Sequence, residues 1–130
     1  NAYTASSGVC SIPSVLGLGA ALDYLTRIGM ARIEAYNLAL RERLATSLRQ
    51  VPQVRVLSPT AGPLVSPMLT YLLPDSVKSG DLSRRLRDRH HVEVKVVPGP
   101  ALNGHRISTH LFNTERDIEV LVRALASELG

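Results

Sequence analysis

The stretch NGHRISTHLFNTERD, Asn103 to Asp117, reads as a short strand that runs directly into a capped helix. Side chains alternate across a pleated strand, so Ile107, Thr109 and Leu111 share one side and Arg106, Ser108 and His110 the other. The apolar side suits a core, which turns Arg106 away from it. His105 falls on the side opposite His110, so the two do not converge on a metal. Thr114-Glu115-Arg116-Asp117 follows a variant of the capping box, with a hydroxyl and a carboxylate placed to satisfy free amides of the first helical turn. A helix is expected from Thr114 to Leu129, burying Ile118, Leu121, Val122, Leu125 and Leu129.

Upstream of the quoted stretch, Val92-Glu93-Val94-Lys95-Val96-Val97 alternates in the same way, with the valines at 92, 94 and 96 inward and Glu93 and Lys95 outward. The loop Pro98 to Gly104 is long enough for a hairpin-like reversal between the two strands. Before them a helix is expected from Ser79 to about His90, buried along Leu82 and Leu86. Leu64 to Leu73 carries an apolar strand signal that Pro67 restricts to an edge or a bulge. Val54-Arg55-Val56-Leu57 is a further short alternating strand. Two helices precede it. One is capped by Ser14, carries Val15, Leu18, Leu22, Leu25 and Ile28 on one stripe, and ends at Gly29. The other runs from about Met30 to Arg49, with Ile33, Tyr36, Leu40, Leu44 and Leu48 buried and Arg41, Glu42 and Arg43 mostly outside. Gly17 and Gly19 weaken the first helix and suit close backbone packing. Residues 3–13 read as an extended entry segment, and Asn1-Ala2 as the remnant of a cleaved tag.

The order α-α-β-β-α-β-β-α specifies an α+β fold: a small three- to four-stranded antiparallel or mixed sheet with helices packed on one face. The other face, carrying Glu93, Lys95 and Arg106, is left to solvent or to another body.

Composition narrows the function classes. At 130 residues the chain can bury a core as one domain. No apolar run reaches a membrane-spanning length, and no signal-peptide pattern leads the chain, which points to a cytoplasmic protein. The single cysteine, Cys10, excludes an internal disulfide and reads as a small packed residue. The net charge of +4 raises nucleic acid as a partner. Its densest source, Arg84, Arg85, Arg87 and Arg89, lies on a predicted helix with few aromatics to stack bases, so a solvated helix face is the better reading and no nucleic acid is expected.

No complete catalytic constellation stands out, and no metal site is expected. His90 and His91 are adjacent, point to different sides, and suit the terminal carbonyls of their helix. Arg106 is the residue to single out, because a guanidinium on a rigid strand can grip a carboxylate through two parallel hydrogen bonds. The plain alternative is an exposed strand arginine paired with an acid such as Glu93.

The segments GLGAALDYLTRIG (Gly17–Gly29), VEVKVVP and NGHRISTHLFNTERDI resemble the carboxyl-terminal part of class V aminotransferase-like enzymes. These are fold-type-I pyridoxal-phosphate enzymes that include cysteine desulfurases, selenocysteine lyases and isopenicillin N epimerase-like proteins. The resemblance implies that residues 3–29 are a connector and helix leading from a large amino-terminal domain absent from the chain, and that residues 30–130 are the small domain. It implies that Arg106 holds the α-carboxylate of an amino-acid substrate, with Asn113-Thr114 as the strand-to-helix corner behind it. Lys95 occupies a position where many relatives are basic. Tyr3 to Ser7 is similar to a segment whose hydroxyl reaches the cofactor phosphate, which gives Ser7 a cofactor-binding role. The lysine that anchors pyridoxal 5'-phosphate belongs upstream in the family, so the fragment should be inactive and free of cofactor alone, whereas the full-length enzyme should bind the cofactor as a homodimer. No cysteine lies between Lys95 and Arg106, unlike the desulfurases, which favours the epimerase-like or lyase-like branch. The rival from another class is a non-enzymatic α+β module that binds a ligand or protein on its open sheet face.

Overall fold

The computed structural model describes residues 11–97 and 102–130. The expectations for Asn1-Ala2, Ser7, Cys10 and part of the Pro98 to Gly104 loop lie outside the described residues. Two compact units divide the chain, residues 1–33 and 34–130.

The first unit is dominated by α1 (Ile12–Ile28), which begins one residue after Ser11, earlier than the expected Ser14 cap, with Pro13 in its first turn. Proline is tolerated there because the amide it lacks has no helical partner. Gly29 ends the helix at φ 95°, its N–H donating to the Leu25 carbonyl, and a left-handed cap of this kind suits glycine. The leucine and valine stripe is present, but α1 buries none of its residues. Gly17 and Gly19 have nothing within 4 Å of the position a Cβ would take, so they do not serve close packing here.

α2 (Met30–Leu48) carries the chain into the second unit, where β1 (Arg55–Val56), β2 (Met68–Leu72), α3 (Ser79–His90), β3 (Lys95–Val96), β4 (Gly104–Ser108) and α4 (Glu115–Leu129) follow in the expected order. The sheet is antiparallel throughout, in the order β1-β2-β4-β3. Its covered side sends Leu69, Tyr71, Leu73 and Val94 into a core with Leu44 and Leu48 of α2, Leu82 and Leu86 of α3, and Leu121 and Leu125 of α4. Each fully buried leucine of this kind contributes about 1.5–3 kcal/mol of transfer free energy. This apolar layer seats one side of the sheet on the helices and leaves Lys95, Arg106 and Ser108 exposed on the other.

Several sequence expectations need correction. Pro67 does not push its strand to an edge: β2 starts directly after it and lies inside the sheet, because proline's missing donor matters only where a ladder bond is required. β3 is shorter than the valine alternation suggested, although Val94 is still buried beside it. β4 stops at Ser108, and Thr109 only continues its ladder with one N–H to the Pro67 carbonyl at 3.0 Å.

On α2, Tyr36 is exposed and Arg41 is buried, the reverse of the expected faces. The Arg41 guanidinium donates to the Pro59 carbonyl and lies 3.3 Å from Glu42, so it ties the loop after β1 to the helix. Neither partner is apolar, which is why apolar periodicity did not place it.

The arginines of α3 lie on the solvated face, as expected, with Arg84, Arg87 and Arg89 exposed and Arg85 half-buried, and each also stands beside a carboxylate. Arg84 pairs with Asp81, Arg87 with Asp88, and Arg85 and Arg89 with Glu128 of α4. His90 adds its Nε2 to Glu128 at 3.1 Å and does not turn to the helix carbonyls. That hydrogen bond, with those from Arg85 and Arg89 and against a smaller desolvation cost, holds the Glu128 carboxyl below its usual range. His91 adopts a left-handed φ of 55° and ends α3, with its own N–H on the Arg87 carbonyl and that of Val92 on Leu86.

Candidate functional site

β4 divides its side chains between two environments. His105 is fully buried, and Arg106, its neighbour, is exposed on the open face. Arg106 stands on an inner strand, paired Cα to Cα with Thr70 of β2 on one side and with Lys95 of β3 on the other. A backbone held by neighbours on both edges gives the guanidinium a fixed mount.

The mount is reinforced from below. His105 Nε2 lies 2.8 Å from the Ser79 carbonyl, which can only accept, so Nε2 carries the proton. Nδ1 is then an acceptor, and the Tyr71 hydroxyl donates to it at 2.9 Å. Burial lowers the His105 pKa, opposed in part by the hydrogen bond to Ser79, and desolvation raises that of Tyr71. Both side chains are therefore neutral and fully partnered. Asn103 extends the same anchorage: its Oδ1 accepts the Ser79 amide at 3.0 Å, and its Nδ2 donates to the Pro74 and Val77 carbonyls.

The far end of the strand is fixed as firmly. The Thr109 hydroxyl stands 2.8 Å from the Asn37 carbonyl and 3.1 Å from that of Pro67. The turn to α4 is closed by the His110 amide on Asn113 Oδ1 and by the Asn113 amide on the His110 carbonyl, and the Tyr36 hydroxyl donates to the Asn113 carbonyl at 2.7 Å. A capping box at Thr114 then starts the helix, the Asp117 carboxylate accepting the Thr114 amide at 2.8 Å.

Beside β3 and β4 a cleft of about 490 Å³ is lined by Lys95, Arg106, Ser108 and Asn113, with Ile107 and Leu121 supplying apolar wall. Glu93 and Asp117 also line it, yet neither forms an ion pair with Arg106 or Lys95 among the described residues. The alternative pairing of Arg106 with Glu93 is thus not formed. His110 lies outside this set, tilted against the exposed Phe112 ring at 4.4 Å between centroids. No group of three metal-ligating side chains occurs among the described residues. Such an arrangement can bind an anion on a preorganised, cation-bearing strand, with the corner at Asn113 closing one end.

The sequence profile of the family described as Aminotransferase class-V matches residues 2–123. The chain belongs to the class-V aminotransferase family. Among curated members it is 30% identical over 131 residues to a probable cysteine desulfurase of Streptomyces coelicolor, covering 92% of this chain and 30% of that protein. It is also 30% identical over 112 residues to the isopenicillin N epimerase of Streptomyces clavuligerus, covering 84% of this chain and 27% of that one. The solved cysteine desulfurase of Thermococcus onnurineus NA1 shares the fold at a TM-score of 0.83 and 23% identity, over 95% of this chain and 32% of that structure. Alanine–glyoxylate aminotransferase from Nostoc sp. does so at 0.77 and 20%, over 96% and 33%. This class-V chain therefore spans about a third of the length of the relatives it matches.

Sequence reading placed Arg106 and Lys95 on the exposed face and the strand-to-helix corner at Asn113-Thr114, where the structure has them. It missed the Tyr71–His105 couple beneath them, for which the only available signal was that alternation puts His105 on the core side, where an imidazole needs two partners.

Proposed function

We propose that this chain is the carboxyl-terminal domain of a pyridoxal-phosphate-dependent enzyme acting on an amino acid, and that Arg106 grips the substrate α-carboxylate. The connector and helix over residues 3–29 lead from a large domain, and residues 30–130 form the small one. The observation that carries the reading is Arg106 itself: exposed, fixed on an inner strand, and without a carboxylate partner among the described residues. Membership in the family supports it, and a solved relative, a variant of the cystine lyase C-DES, holds glycine covalently linked to its PLP cofactor.

The residues present fit one half of such a site. An unpaired guanidinium beside a partly apolar cleft suits a substrate carboxylate, and two parallel hydrogen bonds would fix the orientation of the α-carbon. When bound, the cofactor supplies a ring that delocalises the electrons released at that carbon. The anchoring lysine is assigned to the two thirds of the relatives' length that this chain does not span. Lys78 stands exposed beside the start of α3, and Lys95 stands opposite Arg106. Ser7 is retained as a candidate contact to the cofactor phosphate. The whole enzyme is placed in the cytoplasm as a homodimer. Among the described residues, no helix is long and apolar enough to cross a membrane.

The test is Arg106→Gln in the full-length protein. Amino-acid binding and turnover should fall by about a hundredfold or more, in line with loss of a charge-assisted two-point contact, while the cofactor absorbance is unchanged. Unchanged kinetics would return Arg106 to an ordinary exposed arginine, whereas a full-length protein that neither binds the cofactor nor turns over an amino acid would favour a non-enzymatic binding module.

A further inference from the structure

Lys95 and Arg106 are direct cross-strand partners, so pleating sends both side chains to the open face. Two residues along, the Val97 amide donates to the Gly104 carbonyl at 3.0 Å. By the alternation of an antiparallel ladder, 95 and 106 are then also a hydrogen-bonded pair, with Cα atoms about 5.5 Å apart. Like charges facing each other across a sheet repel. Neither cation has a carboxylate within ion-pair distance among the described residues, whereas every arginine of α3 has one. The acids that share the cleft do not relieve the pair: Asp117 is engaged at the cap of α4, and Glu93 forms no ion pair with either cation.

One carboxylate fills the planar fork of an arginine. The ammonium of Lys95 then stands beside a ligand whose first charge is already matched. We propose that Lys95 sets specificity by receiving a second anionic group, so that the preferred substrate is an amino acid whose side chain itself carries a carboxylate. The inference rests on the reading of Arg106 as the α-carboxylate clamp. The spacing of the two strand positions suits a four- or five-carbon diacid, since each flexible stem can shift its head group by a few ångströms, roughly the strand-to-strand distance.

Calorimetric titration of the full-length protein with succinate and glutarate, against butyrate and pentanoate of matching length, tests this without requiring turnover. The diacids should bind about tenfold or more tightly than the monoacids, as expected for one added charge-assisted contact. Lys95→Gln should abolish the preference, bringing the diacids to the affinity of the monoacids, and Lys95→Arg should keep it. Equal affinities in the unmodified protein would overturn the inference. So would a Lys95→Gln variant that weakens both classes alike, because Lys95 would then share the first carboxylate. Monoacid binding that survives Arg106→Gln would overturn the underlying clamp instead, so the two failures are distinguishable.

Discussion

The two sides of β4 solve opposite problems with adjacent residues. His105 is a polar group inside the core, and each of its ring nitrogens has a partner, Tyr71 on one side and the Ser79 carbonyl on the other. Arg106 is a charged group outside it, facing a second cation across the sheet. A buried polar group that lacks its partner costs about 1–3 kcal/mol, so the covered side is satisfied internally. An exposed cation can be left unmatched at little cost because water screens it. The difference teaches where to look for ligand binding: the unpaired charge lies on the solvent side, and the paired groups beneath it set its position.

The comparison breaks most sharply if the strand itself is displaced. Gly104 lies so close to β2 that a Cβ there would meet the Tyr71 carbonyl oxygen and the Leu72 backbone. Gly104→Ala should therefore push β4 away from β2, disturbing His105 and Arg106 together. We expect a loss of about 3 kcal/mol, the upper part of the usual range for overpacking, read as a lower urea midpoint. An unchanged midpoint would mean that the two strands are not held at this separation.

A smaller effect isolates the covered side. Burial depresses the native pKa of His105, so at mildly acid pH the unfolded chain takes up a proton that the native chain does not. Stability should fall as pH drops below about 6.5, the ordinary histidine value, and the His105 contribution should level off below its depressed native pKa. The slope from this one group is at most about 1.4 kcal/mol per pH unit. Urea midpoints of the unmodified chain and of His105→Gln across that window should show the slope in the first and its loss in the second. Equal slopes would assign the pH dependence to another group.

These outcomes bear on what could be read from sequence. The order of elements, α3 from Ser79 to His90 and the inward set of α4 were legible because apolar spacing reports burial directly. The capping box was legible because its chemistry is local to four residues. Arg41 was not, since its burial depends on a carbonyl at Pro59 that only the tertiary fold brings near. The inner position of β2 was hidden for a similar reason, because the ladder begins one residue after Pro67. For the candidate site, alternation was enough to expose Arg106, and the family resemblance suggested its role. The direct opposition of Lys95 and Arg106 needed a register, and an unpaired sequence does not contain one.

That opposition allows the smallest and most discriminating measurement. If Lys95 and Arg106 face each other for a ligand, the free chain carries a repulsion that the ligand relieves. Removing one charge should then stabilise the free chain while it weakens binding, the trade expected where a site is kept against the interest of stability. Lys95→Gln should raise stability by about 0.2–0.5 kcal/mol at low ionic strength, within the range for cross-strand pairs, and the gain should shrink as salt screens the charges. Thermal melts of Lys95→Gln, Arg106→Gln and the double variant form a cycle. A coupling that vanishes at low salt would show that the two cations do not interact, and the open face would then be ordinary solvated surface. A coupling that is present at low salt and fades in high salt identifies the pair as electrostatic and places it at the surface. Lys95 is exposed, so its replacement by Gln changes packing little, and the sign of the effect is set chiefly by charge.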